Sequence, residues 1–585
     1  MRGTNAHNPP GSGDTSFKIR LPLSVAITIT VLFAASLAIA LSYAGYYFLL
    51  RPATRLAGIK YQDLVEVVKI ALTVVAGIGG TVALTVAVRK QKFTEQQHVL
   101  SEADANRQDR RILDERFRNA VEQLGKESAV VRIGGAYSLA KLADDWPEER
   151  QTCINTLCGY LRFPYDSSGG KDGEREVRQT VIGIMRQRLS RAAEISWDGK
   201  LFDLTGAVLD HLDLSDIDLK ESTLCLRGCV IQAATFKMKG FRVMGGEVDA
   251  RDLRIMEGAT LDAQGGYLSD SGKISLAGSA ISSGVVTFES VQVDGGHLEL
   301  DNVRVDGSSV LDLSHISITS VPLVRKLLSP LSLDEATISG GTVNLEHIQI
   351  ATELDQSELT WSGGREKGGG RFSASFKKLK LIDGKISFND VTIPCGVFSF
   401  TGANFTGGVL DFENSRLEDC CLDFAGAKIN GGCLNFSNSF IGVDRSSDTA
   451  PRSRFVYEWL EGLRNTKEVL GRTMFSRKNP HGVTVFSAAK LYSGHLNFDH
   501  ANVRGALLNF LDIEASNGKI TFINSLFDFS AISLWNANLS GDFKMEIKPL
   551  LRHGVTVLYS QAWGGLNGRV VLGAQVELLE VSGAD

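Results

Sequence analysis

The sequence predicts a mainly β protein: a parallel β-solenoid, preceded by two membrane-spanning helices and a small α-helical unit. Three observations lead there. Glycine is frequent, at 60 residues of 585, while proline is scarce, at 12, which points to many tight turns rather than to collagen or disorder. An apolar residue returns every five and then every twelve positions over most of the chain, the mark of a stacked repeat. Two long stretches near the start carry no charge at all.

Those stretches come first in the chain. After a tail at 1–20, Leu21–Leu50 runs 30 residues without a charge, enough to cross a bilayer core of roughly 20 apolar residues and too long for a signal-peptide apolar region. A loop at 51–69 leads to Ile70–Val88, 19 uncharged residues with Gly77, Gly79 and Gly80, small residues that allow close helix packing. The two spans read as a hairpin anchor. Basic residues flank both, so charge alone does not orient them. The eight cysteines show no CxxC spacing and read as buried free thiols. The expected placement is therefore the cell membrane, multi-pass, with the large C-terminal region cytoplasmic. The bilayer is then one expected partner.

From 89 to 195 the period becomes helical. Arg107, Arg110, Arg111, Arg116 and Arg118 alternate with Asp109, Asp114 and Glu115, the pattern of a solvated, ion-paired helix face. Amphipathic stretches follow around Ile133–Ala143, Ile154–Leu161 and Val177–Leu189, with Pro147 suited to an early helical position.

The solenoid occupies 196–442. Leu204, Leu209, Leu214 and Leu219 step by five, with small or apolar residues two positions earlier and many aspartates between: Asp203, Asp210, Asp213, Asp216 and Asp218. Phe202–Leu224 resembles the pentapeptide-repeat proteins. That resemblance implies a right-handed quadrilateral β-helix with the central leucine and the preceding small residue both inside. The wording of Phe117–Asp145, FRNAVEQLGKESAVVRIGGAYSLAKLADD, is similar to that of membrane-anchored, actinobacterial members of the same family.

Further on the step is twelve. Phe376, Phe388, Phe400, Phe412, Phe424 and Phe436 keep it, and Phe498, Phe510, Phe522 and Leu534 resume it. Leu276, Phe288 and Leu300 hold the same frame, and Leu313 slips by one. Each repeat is two pentapeptide-like steps plus two residues, among them Asp383-Gly384, Cys395-Gly396, Gly407-Gly408, Asp419-Cys420 and Gly431-Gly432. These are expected to turn corners at positive φ. An insertion at 443–487 holds Val456, Trp459, Leu460 and Leu463 at i, i+3, i+4, i+7 spacing, an amphipathic helix expected to pack on or cover the solenoid side, with a partner- or lipid-binding arm as the alternative. The solenoid continues over 488–545, and 546–585 is expected to cap it, since a solenoid end exposes strand edges.

Charge is uneven along the chain. Residues 1–200 carry 27 Lys/Arg against 21 Asp/Glu, and residues 201–585 carry 35 against 46. A duplex-DNA reader would concentrate positive charge in its folded domain, so nucleic acid is an unlikely partner. No HExxH, zinc spacing, P-loop or GxSxG elbow occurs. No catalytic, cofactor or metal residue is assigned, and no enzyme activity is expected. The leading expectation is a membrane-tethered scaffold that binds an unknown protein partner or a second copy of itself. A glycan-acting parallel β-helix enzyme is the alternative, and a topoisomerase-directed DNA mimic comes third.

Overall fold

The computed structural model describes residues 61–165, 173–320, 329–350, 374–442 and 483–549, apart from 395, 419, 529, 535 and 536. It also describes scattered helical residues between 28 and 47 and strands at Val555–Tyr559, Val570–Leu572 and Val576–Glu580. The chain divides into two compact units, Met1–Ile112 and Leu113–Asp585.

The first unit corrects the membrane expectation. Ile70–Val88 is not a separate element with a loop before it. It lies inside one 64-residue helix, Tyr61–Leu124, so the last nine residues of the expected loop are helical turns. That helix runs on through Arg89, Lys90 and Lys92 into the arginine-rich stretch. Among the described residues no helix is long and apolar enough to cross a membrane. Two transmembrane helices and a multi-pass membrane placement are therefore overturned. Most of Leu21–Leu50 lies outside the described residues.

In the second unit the chain coils around one elongated core. A representative coil places Thr223–Cys225 on a first face, Val230–Gln232 on a second, Thr235–Lys237 on a third and Arg242–Met244 on a fourth. Every pairing between named strands is parallel, coil on coil: a 14-stranded sheet on the first face, an 11-stranded sheet on the fourth, and a 19-stranded sheet that unites the second and third. The union occurs because eight-residue strands such as Thr337–Asn344, Lys380–Ser387 and Lys428–Asn435 run straight through the corner between them. Strand residues alternate inward and outward, and the inward row is the core.

The coil length explains the period. Ala374 pairs with Phe398, and Phe398 with Leu422, 24 residues on. A twelve-residue repeat is thus half a coil. Successive phenylalanines alternate between two opposite corners and form two columns. Phe376, Phe400, Phe424, Phe486 and Phe510 make one, and Phe388, Phe412, Phe436, Phe498 and Phe522 the other. Neighbours within a column stack at 4.5–5.1 Å with planes 5–10° apart. That spacing is the 4.7–4.9 Å between paired strands. The columns meet edge to face at 5.6–6.4 Å, the other favourable aromatic geometry. All these rings are buried, as are Leu204, Leu209, Leu214 and Leu219, one to each side of the first coil.

Two residues beyond each core aromatic the backbone turns left-handed. At one corner these positions are Lys378, Gly402, Gly426, Ala488 and Asp512; at the opposite one they are Asp390, Asn414, Asn438, His500 and Asn524. In the phenylalanine coils glycine is required instead at two positions of the corner between the second and third faces, Gly408 and Gly432. A Cβ at Gly408 would lie 2.6 Å from the Gly384 carbonyl oxygen, and one at Gly432 would lie 2.5 Å from that of Gly408. Gly396 opens the strand Gly396–Ser399, and Cys420 and Cys421 are buried strand residues of Cys420–Asp423 rather than corner residues; Cys395 and Asp419 lie outside the described residues.

Three helices, Ala129–Asp145, Arg150–Arg162 and Glu174–Leu189, cap the first coil. Each face offers its edge to a side chain of a helix or, on the fourth face, of the turn that follows the last helix. Gln151 exchanges two hydrogen bonds with the backbone of Leu201 at 2.7 and 3.1 Å. The buried Arg178 donates to the carbonyls of Leu161 and Val208 at 2.8 and 2.9 Å. Arg186 donates to Ser215 O and pairs with Asp213 at 3.0 Å, and Arg191 pairs with Asp218 at 3.2 Å. The aspartates between the leucines of the first repeats thus hold the cap, and unpaired strand edges are covered.

Candidate interaction surface

The corner where the fourth face hands over to the first is unlike the other three. Face-four strands Ser317–Ser320, Gln349–Ile350 and Phe440–Gly442 are followed on face one by Leu331–Ser332, Ala374–Ser375 and Val483–Val485. Across these three handovers Leu298 pairs with Leu331, Leu331 with Ala374, and Leu422 with Thr484, 33, 43 and 62 residues on. Pairing on face one is kept while these three long excursions leave and rejoin at one corner. Val456, Trp459, Leu460 and Leu463 fall in the third excursion and lie outside the described residues. The wall resumes at Val483, and Phe486 joins the column. The signal was available, since Phe486 stands twelve residues before Phe498.

Beside that corner, the outward side of face one carries a row of polar groups with little exposure. His297, Ser332, Ser375, Ser399 and Asp423 are all buried. The row is knitted along the coil axis. Asp334 N–H donates to Asp301 Oδ1 at 2.9 Å, and Asp334 Oδ1 accepts from Ser375 Oγ at 2.6 Å and Lys377 N–H at 2.7 Å. Thr401 Oγ1 donates to Asp423 at 3.1 Å, and the other Asp423 oxygen accepts from Ala425 N–H at 2.9 Å. Lys273 pairs with Glu299 at 2.7 Å. His297 Nδ1 meets the carbonyl of Ser329, where the chain returns from the first excursion.

Desolvation sets the protonation of this row. Burial pushes Asp301 above the usual carboxylate range, and the charges of Asp334 and Glu299 push the same way. Burial likewise raises Asp423 against its hydrogen bonds. Burial would raise Glu299 too, but hydrogen bonds from Lys273 and Ser275 hold it below its ordinary value. Burial lowers His297. Raised carboxyls in company with a lowered histidine are where acid–base chemistry is sought, although hydrogen-bonded structural networks perturb pKa values in the same way. Among the described residues no group of three or more His, Cys, Asp or Glu side chains is placed to hold a metal ion.

The thiols are quiet. All seven described cysteines are free. Burial pushes Cys153 up to about 11, and Cys158 and Cys229 up to about 12, and a thiol kept protonated is a poor nucleophile.

No protein-family model, no curated protein and no solved structure matches the chain.

Proposed function

We propose that the chain is a rigid interaction scaffold whose protein partner docks on the corner between the fourth and first faces. The observation that supports it is the gathering of all three long excursions at that one corner of an otherwise regular wall. In repeat architectures, insertions that collect on one side frequently mark the binding side, because a stacked wall supplies rigidity and the insertions supply specificity. The kinship to pentapeptide-repeat proteins belongs to this reading. Its support is the first coil, where Leu204, Leu209, Leu214 and Leu219 point inward in turn. A second copy of the chain is the other partner this surface would accept.

A glycan-acting enzyme is the second reading, favoured by Asp301 and Asp334, which adjacent coils bring together. It is the weaker one, because Asp334 is engaged by Ser375 and the Lys377 backbone.

The test uses the full chain with a photo-cross-linking residue in place of Ser320 or Ser339. Ser320 ends a face-four strand, and Ser339, which is exposed, lies at the opposite corner. A discrete protein adduct from position 320, absent from position 339, is the expected result. Equal adducts at both positions, or none from 320, would overturn the reading. Glycan cleavage abolished by Asp301→Asn would establish the enzyme instead.

A further inference from the structure

Two histidines on adjacent coils, His315 and His347, stand one above the other at the corner between the third and fourth faces. Strand pairing fixes this: Ser317 pairs with Gln349, two residues beyond each histidine. Both take left-handed backbone, φ 57 and 56. Both are exposed, and their ring centres are 4.9 Å apart with planes tilted by 36°. Asp390 occupies the same corner on the next coil, also left-handed at φ 56.

The geometry points to a divalent transition-metal site held by the two imidazoles. With metal–nitrogen bonds of about 2.0–2.1 Å, two imidazoles on one ion have ring centres about 4.5 Å apart at a right angle and about 5.2 Å apart in a tetrahedron. The observed 4.9 Å lies between these. The backbone beneath is set by the coil, so the separation is preorganised. Exposed rings turn about their own side-chain bonds to converge without moving the wall. Imidazole suits zinc, nickel and copper. No third protein ligand is placed with the pair among the described residues, so water completes the coordination. Asp390 is the carboxylate that the same corner offers on the next coil, and metal-bound histidines commonly donate their second ring N–H to such a group. The ion would tie together the two coils between which the first excursion leaves the wall.

His500 supplies the internal control. It has the same left-handed corner position at φ 59, but its neighbours on the coils before and after are Asn438 and Asn524. Zn(II) binding to the full chain is measured by isothermal titration, and Cu(II) by electron paramagnetic resonance. His315→Asn and His347→Asn keep a residue suited to left-handed backbone, as Asn414 and Asn438 show in the same column. Each is expected to weaken the tightest equivalent by about tenfold or more and to remove one nitrogen from the copper spectrum. His500→Asn is expected to change neither. Wild-type affinity in both His315→Asn and His347→Asn, or a loss on His500→Asn alone, would overturn the site.

Discussion

The leucine-rich coils and the phenylalanine-rich coils differ in what they tolerate. Between Leu201 and Leu298 the coil returns after 22, 24, 26 and 24 residues. Between Ala374 and Ile532 it returns after 24 at every step except the 62-residue excursion. Aliphatic side chains have no preferred mutual orientation and absorb an extra corner residue by repacking. Stacked rings must overlay in both position and plane. An inserted residue inside a phenylalanine coil would swing a ring out of its column. Chain is therefore added there only where it leaves the wall and rejoins it in register.

The sharpest way to break this comparison is to remove one ring. Phe412 touches Phe388 and Phe436 face to face. Phe412→Ala is expected to cost about 3–5 kcal/mol, a cavity plus the lost transfer energy, and to loosen the coils on both sides. Leu300→Ala, equally buried, is expected to cost roughly 1 kcal/mol less, since no stacked pairs at about 0.5–1.5 kcal/mol each are broken. Hydrogen exchange resolves the two locally, which suits a solenoid whose coils open semi-independently. A larger local opening for Leu300→Ala would refute the ring-column account.

The corners give the next effect. Gly432→Ala places a methyl group against the backbone of Gly408 and strains a residue at φ 74, an expected loss of about 2–4 kcal/mol. Gly426, at φ 65, has open space around it, and Ala488 already occupies its column at φ 53. Gly426→Ala is expected to cost about 1 kcal/mol. Urea midpoints of the two variants measure the difference; equal midpoints would mean that backbone stacking at the glycine corner is not what fixes its composition.

Much of this was legible beforehand. The inward positions Phe376 to Phe522 carry a period that only a stacked wall produces, and Leu204 to Leu219 mark one coil by themselves. The two-corner alternation was not legible, because a twelve-residue step is the same whether a coil holds one repeat or two. The polar row was hidden for a related reason. Asp301 and Asp334 are 33 residues apart in sequence, and only the excursion at the fourth corner brings them to adjacent coils. Ile70–Val88 misled because composition shows apolarity but not that the helix continues unbroken to Leu124.

Acid should act oppositely on the capped first coil and on the coil of Asp423. Burial would raise Asp213, but hydrogen bonds from Ser215 and the charge of Arg186 outweigh it and hold the carboxyl below its ordinary 3.8; Asp203 behaves likewise through Thr205 and Arg162. A depressed folded value means the stabilisation is present above pH 3.8 and is lost as pH falls through the folded value. Asp423 is raised, so its contribution is full below 3.8 and is lost as pH rises through its folded value. Exchange-corrected protection of Cys420–Asp423 should therefore rise as pH falls towards about 4, and Asp423→Asn should abolish that rise. The cap at 129–218 should hold until lower pH and then loosen. Coils near His297 are a poor place to look, because its lowered value loses stability on acidification and masks Asp301. Parallel loss of protection at both sites would contradict the assignment.

The smallest effect tests whether the cap works by charge or by edge covering. Arg175 pairs with Asp210 at 3.2 Å from an arginine side chain that is half exposed, and an ion pair of that kind contributes about 0–1 kcal/mol. Arg178, one helical turn away, is buried and donates to two backbone carbonyls. If the cap were mainly electrostatic, Arg175→Ala and added salt would each open the first coil appreciably. If it covers strand edges, Arg175→Ala changes the thermal midpoint by no more than about 1 °C. Protection of Leu201–Asp203 would then survive high salt, because its edge is held by the uncharged Gln151. Salt-sensitive protection at Leu201–Asp203 would assign the cap to charge and leave the aspartates of the first repeats, rather than the glutamine, as its principal fastening.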